Sequence, residues 1–212
     1  MRFTRWFLKP AVFLACLWPA LRLAAGAAGW HGATLGADPV AALLHGAGRW
    51  GLNFLMITLC MTPLRVLSGS SLPLRFRRMF GLFSFFYLVM HLLIYVVLDQ
   101  SRDLHAVLED VLKRPYITIG MLALAMMVPL AATSTQGAMR RLGRRWTTLH
   151  RLIYPIAVLG VWHFWWQVKR DLRQPILYAA GLALLLGYRY WRERRSQARR
   201  LSVSRLAATD GA

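Results

Sequence analysis

The stretch HRLIYPIAVLGVWHFWWQV, residues 150–168, is apolar enough to cross a membrane, yet it carries two histidines and a proline. His150 stands at its start, His163 lies near its end, and Pro155 lies between them. A bilayer core of about 30 Å needs about 20 apolar helical residues, so a segment of this length is a candidate membrane span. An ionisable side chain inside a span is costly and is usually functional. The two histidines are therefore the first candidates for functional residues.

The rest of the chain has the same apolar character, with 57% hydrophobic and 17% charged residues and a mean hydropathy of +0.41. Helices are the expected spanning structure, because lipid cannot satisfy open backbone groups. We predict an all-α, polytopic membrane protein with a bundle of six transmembrane helices, near Leu8–Ala28, Gly48–Leu67, Met79–Leu98, Tyr116–Ala132, Leu149–Val168 and Ile176–Trp191. Residues 1–195 are predicted to form a single transmembrane domain, and residues 196–212 a basic, flexible cytoplasmic tail.

The net charge of +19 is unevenly distributed between the connections. Arginine clusters precede the third and fifth predicted spans and follow the sixth, whereas most acidic residues lie in the other connections. The positive-inside rule then places both termini and the arginine clusters in the cytoplasm. Since topology accounts for the charge and short loops offer no recognition fold, we predict no nucleic-acid binding. The same arginines could also hold lipid headgroups or a cofactor phosphate.

Two patterns near the N-terminus have competing interpretations. The basic start and the sequence LAAGAAG resemble a cleavable signal peptide, but the apolar stretch is long and contains Pro19 and Arg22, so we predict a retained helix. The sequence GAGRWG, residues 46–51, matches the dinucleotide-binding pattern G-x-G-x-x-G without the strand that this mechanism requires. Close helix packing at the outer end of the second span explains these glycines better.

His91 and His163 are predicted to lie at the same depth in the membrane. His91 lies 13 residues beyond Arg78, and His163 lies 12 residues beyond Arg151. At about 1.5 Å per residue, both imidazoles sit some 18 to 20 Å above the cytoplasmic edge. Two neutral imidazoles on separate helices can supply both axial ligands of a haem iron. With no CxxCH motif for covalent attachment, the prediction is a b-type haem between the third and fifth helices.

His150 lies about 20 Å below His163, a spacing that would suit two haems stacked across the bilayer. In a regular helix, 13 residues place it about 140° away from the face of His163. The third span offers Arg77 and Arg78 at this depth, and arginine is not a haem-iron ligand. Three roles stay open: ligation of a second haem with an unusual partner, a shift into the first site, or binding of another cofactor near the inner face.

Five segments of the chain together resemble a known family. They are RWGLNFLMITLCMTPLR (49–65), RRMFGLFSFFYLVMHLLIY (77–95), KRPYITIGMLALAMMVPLAATS (113–134), RRLGRRWTTLHRLIYP (140–155) and VWHFWW (161–166). In this order they resemble the MsrQ family, formerly YedZ, which comprises haem-binding membrane subunits of the ferric-reductase-like transmembrane group. The resemblance runs from the second predicted span to the sixth.

This resemblance implies electron transfer in a bacterial inner membrane. Electrons would pass from a cytoplasmic flavin reductase or a quinol, through haem b, to a periplasmic molybdopterin enzyme of the MsrP type that reduces methionine sulfoxide in proteins. The resemblance also implies binding of FMN, and it implies that the haem-associated histidines are His91, His150 and His163. From charge alone, we place the FMN near Arg77, Arg78, Arg144 and Arg145. The sequence lacks the inner histidine of the third span and the cytoplasmic FAD/NADPH domain of related oxidases, so a separate donor is expected.

Two other functions remain alternatives. A self-sufficient ferric or quinone reductase would act on a small substrate at the outer face and turn over without a partner protein. A small transporter or membrane scaffold would use the histidines to line a pathway and would show no haem spectrum. Transporters often contain internal repeats, and no clear repeat is visible in the sequence.

Overall fold

A computed structural model describes residues 4–30, 35–168 and 171–209, with side chains described for residues 6–30, 35–168 and 171–198. These residues form helices and contain no strand. The helices are α1 (Lys9–Ala27), α2 (Pro39–Ser68), α3 (Leu72–Ile94), α4 (Leu104–Lys113), α5 (Pro115–Ala132), α6 (Gln136–Leu142), α7 (Arg144–Leu149), α8 (Ile153–Gln167) and α9 (Arg173–Thr209). A π-helical turn, Tyr95–Asp99, extends α3, and a 3₁₀ turn, His150–Leu152, joins α7 to α8.

Four helical segments are long and apolar enough to cross a membrane: Trp6–Ala27, Pro39–Ser68, Leu72–Asp99 and Pro115–Ala132. The prediction of an all-helical, multi-pass membrane protein is therefore confirmed. The count of six spans stays a prediction. Helix α8 has 15 residues, which extend over about 22 Å, and α9 continues far beyond its apolar part. The predicted boundary at residue 195 falls within α9, and the flexibility of the tail also stays a prediction.

Several helix boundaries differ from the predicted ones. Helix α2 begins at Pro39, nine residues before the predicted start at Gly48, because Asp38 caps it by accepting a hydrogen bond from the Ala41 N–H at 2.9 Å. Helix α3 begins at Leu72, seven residues before the predicted start at Met79. The short helices α4, α6 and α7 were not predicted, since a search for long apolar blocks passes over them.

Four helices form the centre of the bundle. Helix α2 packs along α3 and α5 packs along α8, while α3 also contacts α5 and α2 also contacts α8. Their shared core contains Leu55, Leu59, Met127, Ile156 and Ala157, all nearly inaccessible to solvent. Helix α9 packs on α2 and α8. The two histidine-bearing helices, α3 and α8, are thus held by the same core.

Close approach of the helices explains the glycines of GAGRWG. A Cβ atom on Gly46 would lie 2.8 Å from Leu23 Cδ2 on α1, and one on Gly51 would lie 2.6 Å from Leu88 Cδ2 on α3. Both distances are shorter than a Cβ atom tolerates, so neither position accepts a side chain without movement. The packing explanation is confirmed, and the dinucleotide pattern lies on a helix.

Helix α1 is attached to the bundle by a buried tyrosine of α3. The Tyr87 hydroxyl accepts a hydrogen bond from the Ala20 N–H at 2.9 Å and donates one to the Cys16 carbonyl at 2.8 Å. These two groups would bond to each other in a regular α-helix, so the hydroxyl is inserted into the helical ladder next to Pro19. The insertion ties the first helix to the core.

We expect Tyr87→Phe to lower the free energy of unfolding by about 1 to 2 kcal/mol, because two buried backbone groups lose their partner and only partly re-pair. Thermal unfolding of the detergent-solubilised protein would measure this. Tyr190→Phe is the matched control, since Tyr190 lies on α9 and is 59% exposed. Equal stability of the Tyr87 variant and the wild type would contradict the structural role of the hydroxyl.

Candidate functional site

The structure brings His91 of α3 and His163 of α8 together in the bundle. Their ring centroids are 6.3 Å apart, and the ring planes make an angle of 75°. Two metal–imidazole bonds of about 2 Å each, together with the two ring radii, span about this distance. The separation is therefore compatible with one metal ion placed between the imidazoles.

Each of these imidazoles is fixed by a backbone carbonyl of a neighbouring helix. His91 Nδ1 lies 2.9 Å from the Leu44 oxygen on α2, and His163 Nδ1 lies 2.6 Å from the Tyr116 oxygen on α5. A carbonyl only accepts hydrogen bonds, so in both rings Nδ1 carries the hydrogen and donates it. Both Nε2 lone pairs are then available to a metal, which is the usual arrangement around a metal-binding histidine.

Both imidazoles lie against a glycine. A Cβ atom on Gly48 would lie 3.0 Å from His91 Nδ1, and a Cβ atom on Gly120 would lie 2.9 Å from His163 Nδ1. No larger residue fits at either position without displacement of the ring. The space for the two rings is thus built into α2 and α5.

The donor set fits a haem better than a bare metal ion. Within the described residues, no three His, Cys, Asp or Glu side chains gather closely enough to hold a metal by themselves. A haem iron needs only two axial ligands from the protein, because the porphyrin supplies the other four. Two imidazoles on separate helices meet that requirement.

A second site lies towards the predicted cytoplasmic side of the same four helices. It is a cavity of about 350 Å³ whose lining includes Arg77, Arg78, Phe85, Trp146, His150 and Tyr154. His150 Nδ1 lies 3.1 Å from the Trp146 oxygen, and the two rings are stacked with centroids 3.8 Å apart. His150 Nε2 is buried and makes no hydrogen bond within the described residues, although the Leu130 backbone is near. A buried ring nitrogen of this kind is available to a ligand.

The four arginines predicted to bind a cofactor phosphate fall into two pairs. Arg77 and Arg78 line the inner cavity, as noted, whereas Arg144 and Arg145 are exposed on α7 and are not among its lining residues. The structure therefore brings the arginines of α3, and not those of α7, next to His150.

Sequence reasoning missed Arg189, which is drawn into the bundle from α9. Its guanidinium donates to the Tyr154 hydroxyl at 2.5 Å, to the Leu59 carbonyl at 3.0 Å and to Thr62 Oγ1 at 3.2 Å. The available signal was an arginine at the end of an apolar helical run. Arg189 lies inside the sixth predicted span, Ile176–Trp191, and the arginine cluster to which we gave a topological role begins only after that span. Arg189 instead joins α9 to α2 and α8.

The aromatic residues around the outer histidines divide into two groups. Trp162, Trp165 and Trp166 are 40% to 51% exposed on α8, which is typical of a belt at a membrane interface. Phe164 packs edge-on against Tyr178 of α9, with ring centroids 5.5 Å apart.

Comparison with known proteins shows the family of the chain. Residues 47–161 match the family described as ferric reductase like transmembrane component. A protein of Xanthomonas euvesicatoria pv. vesicatoria (strain 85-10) is 54% identical over 176 residues, which cover 81% of each chain. It is named protein-methionine-sulfoxide reductase heme-binding subunit MsrQ. The chain belongs to the MsrQ family.

Two further MsrQ proteins show how far this similarity extends. The one from Rhodospirillum rubrum is 52% identical over 185 residues, covering 84% of this chain and 85% of its own length. The one from Xanthomonas campestris pv. campestris (strain B100) is 53% identical over 178 residues, covering 84% and 78%. The resemblance found in the sequence is thereby confirmed. Gly48, His91, Gly120 and His150 lie within the ferric-reductase-like match, and His163 lies two residues beyond it.

Proposed function

We propose that this MsrQ-family chain is a haem b-binding electron-transfer subunit, with the haem held between His91 and His163. The observation that carries the proposal is the pairing of two imidazoles from separate helices, 6.3 Å apart, with both Nδ1 atoms bound to carbonyls. The relatives' name, which states haem binding and a protein-methionine-sulfoxide reductase system, supports both the cofactor and the pathway.

The chain's own residues would hold and orient the cofactor. Bound haem supplies one-electron transfer at its iron. His91 and His163 would provide the axial nitrogens, and the carbonyls of Leu44 and Tyr116 would fix the ring orientation. Hydrogen bonding to Nδ1–H also raises the basicity of the ligating nitrogen. The apolar core shared by α2, α5 and α8 would exclude water from the interior.

The proposed route runs outwards across the bacterial inner membrane, with both termini in the cytoplasm. A cytoplasmic flavin reductase or a quinol would deliver the electrons, and a periplasmic molybdopterin enzyme of the MsrP type would receive them and reduce methionine sulfoxide. The inner cavity is the proposed entry point, since His150, Arg77 and Arg78 meet there. It offers a nitrogen ligand for a second haem and cations for the phosphate of an FMN. FMN binding by Arg144 and Arg145 has less support, because both side chains are exposed.

The proposal is tested first by visible spectra of the purified protein in detergent, oxidised and dithionite-reduced, with a pyridine haemochrome assay for haem per chain. We expect a low-spin b-type spectrum. The stoichiometry then shows whether the inner cavity holds a second haem. A colourless protein after expression with ample haem supply would refute the proposal and favour a transporter or scaffold.

We also expect reoxidation of the reduced protein to depend on its partner. The relatives are named as the haem-binding subunit of a reductase system, so we place reduction of the substrate on the partner protein. The dithionite-reduced protein, freed of excess reductant, should therefore transfer electrons rapidly only when the periplasmic reductase and a methionine-sulfoxide peptide are both present. Ferric citrate and a water-soluble quinone serve as controls in stopped-flow measurements. Equally fast reoxidation by either small molecule would instead support a self-sufficient reductase.

A further inference from the structure

The two outer histidines are held by contacts that repeat at a constant interval along the chain. His91 and its carbonyl partner Leu44 are 47 residues apart, and so are His163 and Tyr116. Leu44 and Tyr116 are 72 positions apart, as are His91 and His163. The same ligand–carbonyl pair is therefore built twice, once by α2 and α3 and once by α5 and α8.

The glycines beside the imidazoles follow the same interval of 72 positions. Gly48 lies four residues after Leu44 and contacts His91, and Gly120 lies four residues after Tyr116 and contacts His163. Each unit thus contains a carbonyl, a glycine one helical turn later, and an imidazole that lies against both. The repeated element is a carbonyl-x₃-glycine segment facing a histidine.

Burial and the inner cavity support a repeat independently of the outer site. The buried residues of α5 are Ala123, Met127 and Leu130, and the positions 72 residues earlier on α2, Gly51, Leu55 and Thr58, are buried as well. In addition, Arg78 and His150 are 72 positions apart and line the same cavity. The repeat is visible in the contacts and the burial, although most of the equivalent residues differ in type.

Helix geometry explains why a glycine is needed four residues after each carbonyl. In an α-helix the carbonyl oxygen of residue i accepts a bond from the N–H of residue i+4, which leaves its second lone pair free. Side chains point back towards the helix N-terminus, so a side chain at i+4 lies over that oxygen. A glycine at i+4 leaves the oxygen open to an imidazole Nδ1–H from another helix.

We propose that Gly48 and Gly120 are a duplicated pair of positioning residues that set the orientation of the two haem ligands. Each glycine gives one imidazole access to the carbonyl four residues before it, and the repeat brings the two imidazoles within 6.3 Å of each other, where they would hold the haem together. This inference rests on the proposed haem site and deepens it. It assigns control of ring orientation to α2 and α5, which supply no ligand themselves.

The test compares Gly48→Ala and Gly120→Ala with Gly187→Ala, a glycine of α9 at which a Cβ atom would meet nothing within 4 Å and which does not line the inner cavity. Loss of a residue that fixes a metal-binding histidine typically weakens metal binding about 10- to 100-fold. We expect Gly120→Ala to weaken haem retention within this range and to shift the low-spin electron paramagnetic resonance g-values and the reduction potential. Gly48→Ala should shift both in the same direction by less, because its closest contacts are slightly longer. Gly187→Ala should match the wild type in all three readouts.

The outcomes separate this inference from the proposed function. If His91→Ala and His163→Ala lose haem while both glycine variants keep the wild-type g-values, potential and haem retention, the positioning role is overturned and the haem site stands. A wild-type protein without haem would refute both the proposed haem site and the positioning role of the glycines. Gly48→Ala requires movement of only a few tenths of an ångström, so it carries the test if Gly120→Ala does not fold.

Discussion

Replacing either His91 or His163 by alanine is expected to abolish the low-spin haem spectrum of the outer site. Each residue supplies one of the two proposed axial nitrogens, and a six-coordinate low-spin iron needs both. Loss of a residue that only orients a ligand weakens metal binding roughly 10- to 100-fold. Loss of a ligand itself should weaken haem binding more than this. Pyridine haemochrome stoichiometry and reduced-minus-oxidised spectra would measure it.

His105→Ala provides the matched control for these variants. His105 is exposed on α4, in the connection between α3 and α5, and should leave the spectrum unchanged. Tyr87→Phe supplies a second comparison, since it removes two hydrogen bonds between α3 and α1 without touching the imidazoles. Full retention of low-spin haem in both histidine variants would refute the ligand assignment.

The depth of the two outer histidines could be calculated from the sequence because regular helices convert residue number directly into distance. His91 and His163 were placed level by counting from Arg78 and Arg151, and the structure brings their rings to 6.3 Å from each other. Which helix lies beside each histidine could not be calculated. The roles of Gly48 and Gly120 depend on that neighbour, so a search of single spans does not find them.

The orientation of His150 illustrates a different limit. The predicted rotation of about 140° between His150 and His163 assumed one continuous α-helix. The structure instead has a 3₁₀ turn at His150–Leu152, and α8 begins at Ile153. Pro155 then falls in the first turn of α8, where its missing N–H costs little. The sequence contained the proline, but it did not show on which side of it the helix would begin.

The short helices α4 and α6 were missed because their signals are local and polar. Asp103 caps α4 through hydrogen bonds to the N–H groups of His105 and Ala106, and Thr135 caps α6 through the N–H of Ala138. Capping residues of this kind are readable in a sequence. A scan for apolar blocks of span length, which found the long helices, gives them no weight.

His150→Ala is expected to leave the outer haem in place and to slow its reduction from the cytoplasmic side severely. His150 and His163 are 13 residues apart, or about 20 Å along a helix, so the outer haem alone does not reach the inner face. A cofactor in the inner cavity would bridge this distance, and His150 Nε2 is a buried ring nitrogen in that cavity without a hydrogen-bond partner in the described residues. Without the imidazole, the cavity loses its only nitrogen ligand of this type among the described lining residues.

Proteoliposomes with the donor on the cytoplasmic side would separate the two effects of this substitution. Dithionite should reduce the outer haem of His150→Ala fully, which would show that His91 and His163 still hold it, whereas reduction by the flavin reductase or quinol should nearly stop. Arg140→Ala, an exposed variant on α6 at the predicted cytoplasmic face, controls for altered donor docking by surface charge. If His150→Ala is reduced by the donor as fast as the wild type, the inner cavity is not on the electron route. The outer haem would then have to receive its electrons from a donor that reaches it by another path.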